Sequence, residues 1–344
     1  MTSTMSDRLH YSREELLASH EYAEPHVVAG RTLHGGFLAD GRYQPPRALV
    51  REPAMAAWEQ ALAERGGQAF PASAELLSGI RVPNTEQHLV LLRNGIGDVF
   101  WNSLTIIGKI EAMGANIVLI PVPDLQAHIV EDVSGMAIGH LGGGLFEAHG
   151  IDEGGVPSRG IGGHDAMWFA ARDLAFGPDA FPDVDPQPGL AREDGERYLP
   201  EIPLEIENLF SFLANLLIIE FRAEIGFAET QAILRSPDVF TDRRAEAELA
   251  AEIIERIRID EGIHVRSLNL YLGELCSVSL RTLDGGSVPG STLVDRFWDG
   301  MVRWATVTKP ARDVERALTN LHARIAEHPE SDRVRAEFDA VGDA

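Results

Sequence analysis

The stretch "IRIDEGIHVRSLNLYL", residues 257–272, decides how this chain is read. Taken in steps of three and four, Ala250, Ile253, Ile257, Glu261, His264, Leu268, Tyr271 and Leu275 fall along one line of a helix, because 3.6 residues complete a turn. Every other member of that line suits a core, while the charged Glu252, Glu255, Arg256 and Arg266 lie mostly elsewhere. A helix over roughly 242–282 therefore carries a carboxylate and an imidazole, one turn apart, on the face it buries. A buried carboxylate needs a partner or a bound cation.

Working outward, the preceding apolar segment repeats the pattern. Leu209, Leu213, Leu216, Glu220, Ala223 and Phe227 form the stripe of a helix over roughly 204–234, which Glu220 interrupts; Glu224, one turn on, is a further candidate. Upstream, Asp124 can cap a helix running to about Gly150. On it Met136, His140, Gly143 and Glu147 share a face, and His149 stands near the end. His164 opens a short amphipathic helix, "HDAMWFAARDLAF", whose Trp168 and Phe169 suit a core or the wall of a pocket. "HLVLLRNGIGDVFWNSLTIIGKIEAMGA" reads as a helix stopping at Gly114, "NIVLIP" as a short strand or extended approach, and "IDEGGVPSRGIGG" as a polar loop. Residues 177–203 are rich in proline and lack a period, so they read as a long loop.

The flanks are less regular. Residues 1–90 are broken by glycine and proline, with one short helix at "PAMAAWEQALAERGG", and read as an irregular N-terminal arm. Residues 91–285 read as a helical bundle holding a metal site, and 286–344 as a C-terminal helical extension with helices at 293–306 and 310–328. The fold class expected is all-α, a bundle built on four long helices.

Composition excludes several classes. A net charge of −23 argues against nucleic acid or an anionic membrane surface as partner, since phosphate binding draws on Lys and Arg. Cys276, the one cysteine, excludes an intrachain disulfide framework and any cysteine-rich zinc or iron–sulfur site. The polar N-terminus lacks a signal-peptide pattern, and the longest apolar run, "FSFLANLLIIEF", is short for a bilayer span and carries Glu220. A cytoplasmic location is expected. The run "GHLGGGLFEAHG" lacks the Gly-Lys-Ser/Thr ending of a phosphate loop.

Collected, the inward carboxylates and imidazoles are Glu147, His164, Glu220, Glu261 and His264, with His140, His149 and Glu224 behind them. Carboxylate and imidazole donors without thiolate suit iron or manganese. A Glu-x-x-His pair puts both side chains within reach of one metal or a bridged pair. Each group has a plainer reading: Glu220 could pair with Arg222 or Arg235, and the whole set could be a buried polar network.

Glu220, followed 41 residues later by "DEGIHVRSL" on an antiparallel helix, resembles the second half of the ferritin-like di-iron carboxylate proteins. The resemblance covers about 125–282 and is carried by Glu220, Glu261 and His264, with Asp260 as the partner of a ligand histidine on another helix. No second Glu-x-x-His stands upstream, so Glu147 and His164 are the substitutes for the first-half ligands. A ligand at a helix start, or a haem-oxygenase-like di-metal bundle, would account for that departure. The resemblance implies two iron ions (manganese being the alternative), O2 as co-substrate, an electron donor, and a small organic molecule that is hydroxylated, N-oxygenated or desaturated. A homodimer is left open. Two other functions compete with this one: a non-enzymatic helical scaffold or dimerisation protein, and a metal-dependent hydrolase with Glu224 as base.

Overall fold

A computed structural model describes residues 8–79, 81–187, 189, 191–192 and 197–342. The rest of the proline-rich loop expected at 177–203, and residues 1–7 of the polar N-terminus, lie outside the described residues. In chain order the α-helices are α1 (Arg13–Leu16), α2 (Ala48–Glu64), α3 (Thr85–Arg93), α4 (Asp98–Gly114), α5 (Leu125–His128), α6 (Phe146–Gly154), α7 (His164–Phe176), α8 (Leu204–Arg235), α9 (Arg244–Cys276), α10 (Gly290–Arg303), α11 (Lys309–Ala326) and α12 (Ser331–Ala340). The strands are β1 (Glu24–Val28), β2 (Arg31–Phe37), β3 (Tyr43–Gln44), β4 (Ile161–Gly162), β5 (Ser279–Arg281) and β6 (Ser287–Pro289). Helix dominates, so the all-α class holds at that level.

The two long apolar stripes set the frame. α8 and α9 are joined by a short turn and pack along each other as neighbours. Leu213, Leu217 and Phe221 of α8, and Ile253, Ile257, Leu268 and Leu275 of α9, are buried. α7 packs on both α9 and α4, and α6 leans on α4. α10 lies against α8 and α9, and α12 against α3.

The structure departs from the sequence reading at four places. The N-terminal arm is ordered: β1 and β2 pair antiparallel, β3 adds to β2, and β4 joins β2 in parallel. The β1–β2 turn places Ala29 and Gly30 at φ 49° and 76°, the left-handed pair a two-residue hairpin needs. Alanine is an uncommon occupant there, which hid the hairpin. Second, the helix expected over 124–150 is interrupted. The backbone is non-helical at Gly143 and Gly144, the latter at φ 130°, so α6 starts only at Phe146 and runs on through Asp152 and Glu153 to Gly154. What looked like the start of a polar loop is the last turn of a helix. Third, the helix expected up to Gly114 is split, with "NGIG" at 94–97 between α3 and α4, and "NIVL" after it is a 3-10 turn rather than a strand. Fourth, α9 stops at Cys276, and β5–β6 form a hairpin around "TLDGG", where Asp-Gly is a strong turn former.

The junction of α6 and α7 is tight. A Cβ on Gly163 would lie 2.3 Å from the Gly155 nitrogen and 2.5 Å from the Glu153 carbonyl oxygen. This contact holds the end of α6 against the start of α7. Gly163→Ala is expected to destabilise the fold by on the order of 1–3 kcal/mol or more, read by chemical denaturation. An unchanged midpoint would show that the junction yields.

Candidate metal centre

Helices α6, α7, α8 and α9 each send a polar side chain into one buried cluster, and α4 adds Glu111. His149, Glu153, His164, Glu220, Glu261 and His264 are all 5 % exposed or less. The ligand atoms of His149, Glu153, Glu220 and His264 lie within 4.8 Å of one another, as do those of Glu153, His164, Glu261 and His264.

Glu261 is the hub. Its Oε2 lies 2.6 Å from His264 Nδ1, and its Oε1 lies 2.9 Å from His164 Nδ1. Glu153 faces His149 Nε2 and His264 Nδ1, each at 3.3 Å, and His164 Nδ1 at 3.8 Å. Glu220 lies 3.2 Å from His149 Nε2. The alternative arginine partners of Glu220 are otherwise engaged: Arg235 bonds Glu248 and Gln231, and Arg222 lies over the Trp304 ring. Glu111 accepts a hydrogen bond from Trp168 Nε1 at 3.2 Å and meets Glu153. The His149 and His264 rings stack with centroids 3.7 Å apart.

Of the three imidazoles, His164 and His264 present Nδ1 to the cluster and turn Nε2 to an aspartate, while His149 presents Nε2. His264 Nε2 donates to Asp152 Oδ2 at 3.1 Å, and His164 Nε2 lies 3.4 Å from Asp260 Oδ2. Arg47 and Arg51 of the N-terminal segment bind Asp152. Asp260 accepts from the Tyr43 hydroxyl at 2.8 Å and meets His34 Nε2 at 3.1 Å. A carboxylate on the far nitrogen fixes the tautomer and aim of an imidazole.

The electrostatics describe a site held together by protons. Burial pushes Glu220 up to about 8, helped by the charge of Glu261, and burial with Glu153 raises Glu111 well above the usual range. Burial alone would lower His164 and His264, but Glu261 and the aspartate behind each ring raise both well above 6.5. Burial would likewise raise Glu261, yet His264 and His164 hold it down to about 2. Asp152 goes well below its ordinary value, its burial outweighed by Arg51 and Arg47.

These residues fit a pair of metal ions. His149 Nε2 and His164 Nδ1 are buried and make no hydrogen bond, although carboxylate oxygens lie close to both. Such atoms aim at shared space rather than at one another, as ligands of a common ion do. Oxygen and nitrogen donors without sulfur suit iron or manganese.

Of the residues singled out in the sequence, His164, Glu220, Glu261, His264 and His149 come together here, with Asp260 behind His164. Glu147 does not. It pairs with Arg13 and its side chain is 30 % exposed; standing two residues from His149 on one helix, it points nearly the opposite way. His140 lies before the glycine break, its Nδ1 bonded to the Met136 carbonyl and its Nε2 accepting from the Tyr11 N–H. Glu224 is exposed on α8. Glu147→Ala is therefore expected to leave metal content unchanged, as measured by elemental analysis after loading and desalting; a loss would place Glu147 in the ligand set.

Glu111, Glu153 and Asp152 were missed. Glu111 was within reach of the same argument that found Glu220, since it continues the buried line Phe100, Leu104, Gly108 of α4. Glu153 was hidden by its glycine-rich surroundings. No family model matches the chain, and neither a curated protein nor a solved structure does. Among the described residues no helix is long and apolar enough to cross a membrane.

Proposed function

We propose that the chain is a ferritin-like, non-haem di-iron protein, an O2-dependent oxygenase or oxidase of a small organic molecule. The observation that carries the reading is Glu261, whose two oxygens each face a different imidazole nitrogen in a buried, thiolate-free cluster. Glu111, His149, Glu153, His164, Glu220, Glu261 and His264 would hold two iron ions, with manganese as the alternative. Iron bound there would supply the electrons that O2 chemistry requires.

The chain's own groups do the rest. Asp152, hydrogen-bonded to His264 Nε2, and Asp260, 3.4 Å from His164 Nε2, stand behind two of the imidazoles and leave Nδ1 inward. Trp168, buried and stacked on Phe227 at 5.7 Å, donates to Glu111. Glu224 stands outside the cluster, so the hydrolase alternative loses its base. An electron donor would return the ions to the reduced state between turnovers.

Anaerobic loading with Fe(II) and desalting should leave about two iron ions per chain, and admitting O2 should change the visible absorbance. Protein that retains no metal and is indifferent to air would instead be a scaffold with a buried polar network.

A further inference from the structure

We infer that the N-terminal segment makes the two metal positions electronically unequal, with the ion at His164 oxidised at a lower potential than the ion at His264. The inference rests on the di-metal reading above. The oxygens of Glu261 face His164 Nδ1 and His264 Nδ1 separately, and His149 stands on the His264 side, its Nε2 3.2 Å from Glu220, so the two positions differ in their imidazoles. His164 and His264 are each backed by a buried aspartate, and the aspartates differ in what surrounds them.

Asp152, behind His264, is bound by two permanent cations. Arg47 donates from Nε at 2.7 Å to Oδ1, and Arg51 binds Oδ2, the oxygen that also accepts from His264. Asp260, behind His164, meets the Tyr43 phenol and the His34 imidazole. Arg256, on the same helix as Asp260, bonds His26 and Glu252 instead.

A buried carboxylate that keeps its charge behind a ring stabilises added positive charge on the metal which that ring holds. A carboxylate offset by two guanidinium groups does this less, and the cations themselves oppose added positive charge nearby. His34 and Tyr43 come from β2 and β3, Arg47 and Arg51 from the start of α2. The arm is thus a working layer of the centre.

The test is a reductive titration of iron-loaded protein followed by visible absorbance. The wild-type chain should show two separated one-electron steps. Arg51→Gln should lower the upper step more than the lower one, and Arg51→Lys, which keeps the charge, should restore it. Tyr43→Phe removes a donor from Asp260 and should lower the lower step alone; it carries the test if Arg51→Gln does not fold. A single unresolved step, or variants that shift both steps equally, overturns the inequality while leaving the di-metal reading intact. Wild-type protein that binds no iron overturns that reading and this inference with it.

Discussion

Replacing Glu261 with alanine will reduce retained metal from about two ions per chain to less than one. Glu261 is the group whose oxygens lie 2.9 and 2.6 Å from the Nδ1 atoms of His164 and His264, so on the di-metal reading its loss would withdraw a ligand from both positions at once. Loss of an outer-layer partner alone typically costs ~10–100-fold in metal affinity, and a shared ligand costs more. The metal-free variant keeps its two imidazoles without the carboxylate between them and should bind fewer protons as well. Glu261→Gln fills the same volume and separates the loss of charge from the loss of bulk. The measurement is elemental analysis with circular dichroism to show that the helices persist. Folded Glu261→Ala protein with undiminished metal would remove the central support for a bridged pair.

Binding of two divalent ions near pH 7 will release several protons per chain. In the metal-free protein Glu111 and Glu220 are pushed toward the protonated form, and His149, His164 and His264 toward imidazolium. Two dications take the place of those protons, with every glutamate ionised. Calorimetry in buffers of different ionisation enthalpy reads the number directly, and release of about one proton or none would contradict the picture.

The same shifts set the pH window of metal-free stability. Glu220 is raised from 4.5 to about 8, so the folded state holds a proton that the unfolded chain gives up. Its contribution is complete below about 4.5 and is lost as pH climbs through about 8. Glu111, His164 and His264 act in the same direction, the two histidines from 6.5 upward. On the acid side Glu261, lowered from 4.5 to about 2, contributes above its unfolded value and is lost as pH falls toward 2. The gap in melting temperature between metal-loaded and metal-free protein should therefore widen from pH 5 to pH 8.

How much of this was legible depended on periodicity. Where a helix is long and its apolar line unbroken, one polar residue in the line stands out, as Glu220, Glu261 and His264 did. Glu111 obeyed that rule and was passed over. Glu153 could not be seen that way, because its helix is short, begins after the Gly143–Gly144 break and ends in glycines that resemble a loop. His34, Tyr43, Arg47 and Arg51 carried no local signal at all. Their partners are more than a hundred residues away in sequence, and an exposed-looking arginine or tyrosine gives no hint of a buried aspartate waiting for it.

The amino-acid sequence by itself determined that this chain is mainly helical and that two long helices bury carboxylate and imidazole together, since 3.6-residue spacing and the cost of burying charge act within a single segment. Only the tertiary structure decided which other residues complete the centre. Ligand distances across helices depend on the glycine contact between α6 and α7, on the direction in which α6 faces, and on an N-terminal hairpin that reaches the far side of the cluster; none of these is set by local spacing.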